Sequence, residues 1–135
     1  MKTVEPTSAD FDELLAYLPI LYADGFKPIA RWGGGDKVEE GVFVMPWAEY
    51  EEAVHQFFGF ASKECWMDYN YISKNIGEVI YDPERVARAT LQQIKTMLTW
   101  CARGERFCEG HWGGGVIEDG SVRNVLLRLQ ELRPS

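Results

Sequence analysis

Three residues near position 108 combine the side chains that a cysteine-dependent hydrolase uses. Cys108 is a candidate nucleophile, and His111 follows it by three residues, a spacing that places two side chains on one face of a helix. A thiol reacts as its thiolate, and the positive charges of Arg106 and a protonated His111 would favour that form. The alternative is a half-buried thiol beside a histidine that hydrogen-bonds to the backbone. Because the chain has only 2 histidines, we expect the alternative and keep the three residues as catalytic candidates.

A glycine-rich pattern occurs twice and offers a second candidate site. Trp32 precedes the glycines at 33–35, and Trp112 precedes those at 113–115. Successive N–H groups in such turns can bind an anion, and a tryptophan ring can stack on a planar ligand. Neither copy has the spacing of a Walker loop or a dinucleotide fingerprint, so we expect ordinary turns or close helix packing. The candidate ligand-binding residues are Trp32, Gly34, Glu105, Arg106 and Trp112.

The cysteines indicate core packing rather than a metal site. Cys108 and His111 form half of a possible zinc site, which Cys65, Cys101 and His55 could complete only in space, whereas structural zinc sites present two paired motifs. We therefore predict no metal and no cofactor. Three cysteines without a Cys-x-x-Cys pair predict free thiols and a cytoplasmic location.

Two aromatic side chains, Phe60 and Trp100, fall away from the apolar faces of their predicted helices. Such rings either pack against a second layer of the same chain, such as residues 66–81, or form a contact surface for a partner. We favour the second layer and keep the interface as the alternative. Glu49 and Glu52, in the acidic part of the chain, are the other candidate interface residues.

Apolar residues at helical spacing predict the elements that position these side chains. The predicted helices cover 8–21 with a break at Pro19, 46–65, 82–104, 105–118 and 121–132, and all but 105–118 begin at a capping residue or a proline. The glycines leave a loop as the alternative for 105–118. Residues 66–81 form a predicted aromatic loop and 42–45 a short strand. We expect a mainly α single domain over residues 1–135, a bundle of four or five helices with at most a minor strand.

Composition and charge exclude several classes of function. The 135 residues are 46% hydrophobic, enough for one core, and no apolar run approaches the length of a membrane helix. Fourteen Lys and Arg against 21 Asp and Glu give a net charge of −7, which disfavours nucleic acid and membranes as partners. Residues 1–82 carry 6 basic and 15 acidic side chains (net −9), and residues 83–135 carry 8 and 6 (net +2). We expect solvated helix exteriors, with a contact between acidic and basic faces of two subunits as the alternative.

A longer motif follows the third predicted helix. Residues 103–110 fit the pattern Arg-x-Glu-Arg-Phe-Cys-acidic-Gly, and this motif resembles a family of small, mainly prokaryotic proteins of unknown function. Trp66-Met67-Asp68-Tyr69 and Met45-Pro46 are similar to other parts of that family. The resemblance covers residues 10–132 and implies a mostly helical single domain, but no activity. The motif's alternating charges either fix a corner between two helices, which we favour, or surround a pocket with His111 and Trp112.

These observations predict a protein that works by binding, as an interaction or accessory module whose partner is another protein or a second copy of the chain. One alternative is an acidic inhibitor that binds a basic partner or imitates nucleic acid, through the side chains of Glu39, Glu40, Glu49, Glu51 and Glu52. Another is a small hydrolase or ligand-binding protein centred on Arg106, Cys108 and His111. A third is DNA binding by the last two helices, which the net charge opposes.

Overall fold

The computed structural model describes residues 5–33, 37–39, 42–43, 47–104 and 111–134. Its first helix, α1 (Ser8–Leu15), begins with a capping box: the Thr7 hydroxyl accepts a hydrogen bond from the Asp10 N–H, and the Asp10 carboxylate accepts one from the Thr7 N–H. The cap is therefore Thr7 and not Ser8. The break expected at Pro19 is confirmed, because a separate short helix, α2 (Leu18–Leu21), begins there.

Four short strands follow among the described residues, more than the minor strand expected. They are β1 (Ile29–Gly33), β2 (Lys37–Glu39), β3 (Val42–Phe43) and β4 (Trp47–Tyr50). β1 pairs with β4 and β2 with β3, both antiparallel, so the second pair lies between the strands of the first along the chain.

The predicted helix start at Pro46 is wrong. Residues 47–50 form β4, and α3 (Glu52–Ala61) begins only after Glu51. Glu51 is the N-cap residue of α3 and has an extended backbone conformation. Trp47 and Tyr50 fit the helical spacing by coincidence, while the backbone of β4 pairs with β1. Within α3 the predicted buried face is confirmed at Val54, Phe57, Phe58 and Ala61.

Residues 66–81, expected to be irregular, contain short helical turns. They include the end of a 3-10 helix (Glu64–Trp66), a second 3-10 helix (Tyr71–Lys74) and α4 (Gly77–Ile80). Each is too short to show the apolar periodicity that predicts a longer helix.

The single helix predicted over 82–104 is two helices, α5 (Pro83–Val86) and α6 (Leu91–Gly104). Asp82 caps α5 as expected. A second capping box begins α6. The Thr90 hydroxyl accepts a hydrogen bond from the Gln93 N–H at 3.1 Å, and the Gln93 amide oxygen accepts one from the Thr90 N–H at 2.9 Å. The Thr-x-x-Gln pattern was the signal in the sequence for this second start.

Helix α6 lies at the centre of the core. Every side chain from residue 94 to 99 is buried, and α6 packs against α3, α4, both 3-10 helices, a π-helix (His111–Ile117) and α7 (Ser121–Leu132). α7 buries Val122, Val125, Leu126 and Leu129 as predicted. The mainly α class is therefore confirmed. Over the described residues, none of the helices has the length and apolar character needed to cross a membrane.

Candidate ligand pocket

His111 occupies a narrow space at the end of α6. Its side chain is 8% exposed, and its ring meets that of Trp100 edge-to-face with the centroids 4.9 Å apart. A Cβ atom on Gly104 would overlap the His111 ring, and one on Gly115 would lie 3.2 Å from Nδ1. These glycines therefore allow close packing around a histidine. The predicted helix over 105–118 is a π-helix over 111–117, and its earlier part lies outside the described residues.

Trp112 lies in an aromatic cluster with Tyr50, His55 and Phe58. Its ring stacks on Phe58, with the centroids 4.5 Å apart and the planes at 17°, and its indole N–H donates to the Ala102 carbonyl at 3.1 Å. Tyr50 and His55 complete the cluster, with centroids 5.3 and 5.9 Å from Trp112. The structure thus uses this candidate ligand-binding residue to join α3 to α6.

Trp100, the neighbouring tryptophan on α6, lines an open pocket of about 550 Å³. The pocket lies between the end of α6 and the segment from the second 3-10 helix to α4, and its walls are mostly apolar. Its lining residues are Tyr71, Ile72, Asn75, Ile76, Gly77, Glu78, Trp100 and Gly104. Sites for small organic ligands typically enclose roughly 300–1,000 Å³, so this volume is sufficient for one.

Asp68 fixes one wall of the pocket to α6. Its carboxylate accepts hydrogen bonds from Lys74 Nζ at 2.5 Å, from the Thr96 hydroxyl at 2.6 Å and from the Asn70 N–H at 2.9 Å. Its own N–H donates to the Thr99 hydroxyl. Burial alone would raise the pKa of Asp68, but these hydrogen bonds outweigh it and hold the pKa below its usual value. The ionised carboxylate therefore anchors the second 3-10 helix.

The rim of the pocket exposes apolar surface. Ile72 lines the pocket and is 73% exposed, and Tyr69 and Tyr81 nearby in the chain are 67% and 53% exposed. Asn75 adopts a left-handed backbone with φ of 49°, a conformation that asparagine tolerates better than most residues. This conformation turns the chain between the 3-10 helix and α4, which together form the wall opposite Trp100.

Only part of the candidate catalytic site is described. His111 is placed as above, whereas Glu105, Arg106 and Cys108 lie outside the described residues, as do all positions of the sequence motif after Gly104. The other two thiols, Cys65 and Cys101, are free and buried, and burial raises the pKa of each. Both are therefore poor nucleophiles at neutral pH. No group of three metal-binding side chains occurs among the residues described.

The candidate interface residues are partly occupied by contacts within the chain. Trp100 meets the Tyr81 ring edge-to-face at 5.7 Å, and a Cβ on Gly77 would lie 3.4 Å from it, so part of segment 66–81 does form a second layer. Phe60 is half-buried beside Tyr17. Glu49 forms an ion pair with Arg31 across β1 and β4. Glu52 is exposed.

The remaining candidates belong to the strand region and to α7. Trp32 lies in β1, and Gly34 is outside the described residues. In or next to α7, the helix considered for DNA binding, Arg128 donates to the Ala89 carbonyl, Arg133 pairs with Asp12 and Arg123 is exposed.

Sequence reasoning missed the pocket because its lining residues come from a segment without periodicity. Ile72, Asn75 and Glu78 belong to no motif, and their proximity to Trp100 depends on the buried anchor at Asp68. The one available signal was the position of Trp100 away from the apolar stripe of its helix.

The fold and the site together define a mainly α protein with two small antiparallel sheets and an apolar pocket beside its central helix. A family model matches residues 6–135, and the chain belongs to that family, described as a family of unknown function (DUF6508). The predicted membership of a family of unknown function is confirmed. No curated protein and no solved structure matches the chain.

Proposed function

We propose that this protein acts by binding, as an interaction or accessory module, and that the pocket beside Trp100 is its ligand site. The observation that carries the proposal is the pocket itself: about 550 Å³ of space with mostly apolar walls, open to solvent and bordered by the exposed Ile72. Apolar surface of this kind is costly to leave in water unless a ligand covers it. A location in the cytoplasm remains a prediction.

The anchoring of the walls supports a preformed site. The second 3-10 helix is held through Asp68 to Thr96 on α6, and α4 is packed against α6 directly. Because a ligand then need not order these walls, less of its binding free energy is lost to conformational entropy.

Binding is favoured over thiol chemistry by the surroundings of His111. The histidine is enclosed by Trp100, Gly104 and Gly115, so only a small part of it reaches solvent. A general base must approach its substrate to within hydrogen-bonding distance, and this enclosure restricts such an approach.

The experiment is a fragment titration followed by two-dimensional ¹H–¹⁵N NMR. Small apolar fragments should shift the amide signals of 71–78 and the indole signal of Trp100. Gly77→Ala places a methyl group 3.4–3.6 Å from the Trp100 ring, an ordinary contact distance, and should reduce the shifts. Gly59→Ala is the matched control, because its methyl group enters open space on α3. Fragments that bind only elsewhere, or bind Gly77→Ala equally well, would contradict the proposal.

A further inference from the structure

We infer that the pocket beside Trp100 binds an alkylated ammonium group, the cationic head that tetraalkylammonium compounds and methylated lysine side chains share. The inference rests on the proposed function of this pocket as a ligand site and names the chemistry of the ligand.

The charge of the lining residues selects a cation. Glu78 is the one charged side chain among the lining residues described, and it lies at the rim where a cationic head would enter. The net charge of −7 adds a favourable long-range potential for cations. Among the lining residues that the structure describes, an anion would meet Glu78 without a compensating positive group.

The aromatic walls bind the same kind of group. Trp100 and Tyr71 both line the pocket, and the faces of their rings carry negative potential that attracts cations, most strongly for tryptophan. The Tyr71 ring already has the Arg103 guanidinium carbon 6.0 Å from its centroid. Since Arg103 does not line the pocket, we assign Trp100 as the main contact for an added cation.

Gly77 leaves the indole accessible. A side chain at this position would lie 3.4–3.6 Å from three atoms of the Trp100 ring, in the place where the ligand would meet it. Gly77 opens α4 with a φ outside the left-handed region, so the backbone does not require glycine there. The missing side chain therefore contributes space for a ligand.

The apolar walls favour alkylated over primary ammonium. A primary ammonium has three N–H donors that must be satisfied when it leaves water, whereas methyl groups need only apolar contacts. Ile72 and Ile76 supply such contacts, and Glu78 supplies charge without enclosing the ligand in polar groups. A trimethylammonium head matches both features.

The test compares choline with 3,3-dimethylbutan-1-ol, which has the same shape without the charge. We expect choline to bind about tenfold more tightly, as followed by the amide signals of 71–78, because the cation–aromatic and carboxylate attractions are lost in the neutral compound. Glu78→Gln should weaken choline binding several-fold and leave the alcohol unchanged. Gly77→Ala should weaken both ligands, and Gly59→Ala neither.

A second arm separates the two sources of the cation. A peptide containing trimethyl-lysine that binds more tightly than choline, and more tightly than its unmodified form, would identify a polypeptide ligand. Weaker binding of the peptide than of choline would identify a small molecule. Either result supports the alkylated ammonium.

The failure of this inference is distinct from that of the proposed function. Equal or tighter binding of 3,3-dimethylbutan-1-ol in the pocket would overturn the cation preference and leave the pocket as a ligand site. Absence of any ligand or fragment from the pocket would overturn both.

Discussion

Trp100 packs against His111 and Trp112 follows that histidine in the chain, yet the structure treats the two indoles differently. The Trp112 ring is stacked on Phe58 and donates its N–H to a backbone carbonyl. The Trp100 ring meets Tyr81 and His111 only edge-to-face and borders an open pocket. The first indole joins two helices, and the second lines the pocket that we propose as the ligand site.

This difference shows why residue type alone does not identify a binding residue. Both tryptophans were candidates from the sequence, Trp112 for its glycine-rich neighbours and Trp100 for its position away from the apolar stripe. What separates them is whether other elements cover their faces. α3 covers Trp112, whereas Trp100 is covered only in part by Tyr81 and His111, and the missing side chain at Gly77 leaves space beside its ring.

The largest expected effect is the loss of the Trp112 ring. Trp112→Ala should lower the free energy of unfolding by about 3–5 kcal/mol, since it removes a stacked aromatic ring between two helices. Trp100→Ala should cost at least about 1 kcal/mol less, because part of that ring faces the pocket instead of packed side chains. Chemical denaturation of both variants measures the two free energies of unfolding. Equal losses would contradict the difference in packing between the two tryptophans.

Removal of the Asp68 carboxylate should have the next largest effect. Asp68→Ala leaves the Asn70 N–H and the Lys74 ammonium without this acceptor and the Thr96 hydroxyl with only the Gln92 carbonyl, and we expect a loss of about 2–4 kcal/mol. Asp12→Ala is the control: its ion pair with Arg133 is exposed and screened by solvent, and we expect a much smaller loss than at Asp68. A loss at Asp68 no larger than at Asp12 would show that the pocket wall is not anchored in this way.

Acid should weaken the same anchor by a smaller amount. Because the pKa of Asp68 is lowered in the folded protein, its contribution is present above the ordinary aspartate value of about 4 and is lost as the pH falls through the lowered pKa. The difference in unfolding free energy between the protein and Asp68→Asn should therefore shrink below pH 4. A difference that stays constant down to pH 2 would contradict this assignment.

Gly77→Ala should have the smallest effect on stability and a clear effect on binding. An added methyl group at an ordinary contact distance within a helix should change the free energy of unfolding by no more than about 1 kcal/mol in either direction. A large loss of stability would mean that Trp100 is as tightly packed as Trp112.

Much of the helical core could be predicted because apolar periodicity reports directly on burial. The stripes of α3 and α7 and the buried Cys101 are examples. Apolar periodicity gave the wrong secondary structure for β4, whose backbone pairs with β1. It also predicted one helix where a capping box at Thr90 separates α5 from α6.

The burial of polar side chains on α6 could not be predicted from the spacing of apolar residues. Lys95, Thr96 and Thr99 are buried because α6 is surrounded on all sides, which depends on elements distant in sequence. The hydrogen bonds of Asp68 with Thr96 and Thr99 then hold the segment after residue 68 against α6 and so form the pocket. No local sequence pattern indicates this contact.

The most direct test follows the indole N–H signals of Trp100 and Trp112, assigned with Trp100→Phe and Trp112→Phe, during titration with choline and 3,3-dimethylbutan-1-ol. We predict that the Trp100 signal shifts in a saturable way while the Trp112 signal stays in place. A saturable shift of the Trp112 signal, or no shift of the Trp100 signal with either ligand, would contradict the assignment of the pocket as the binding site.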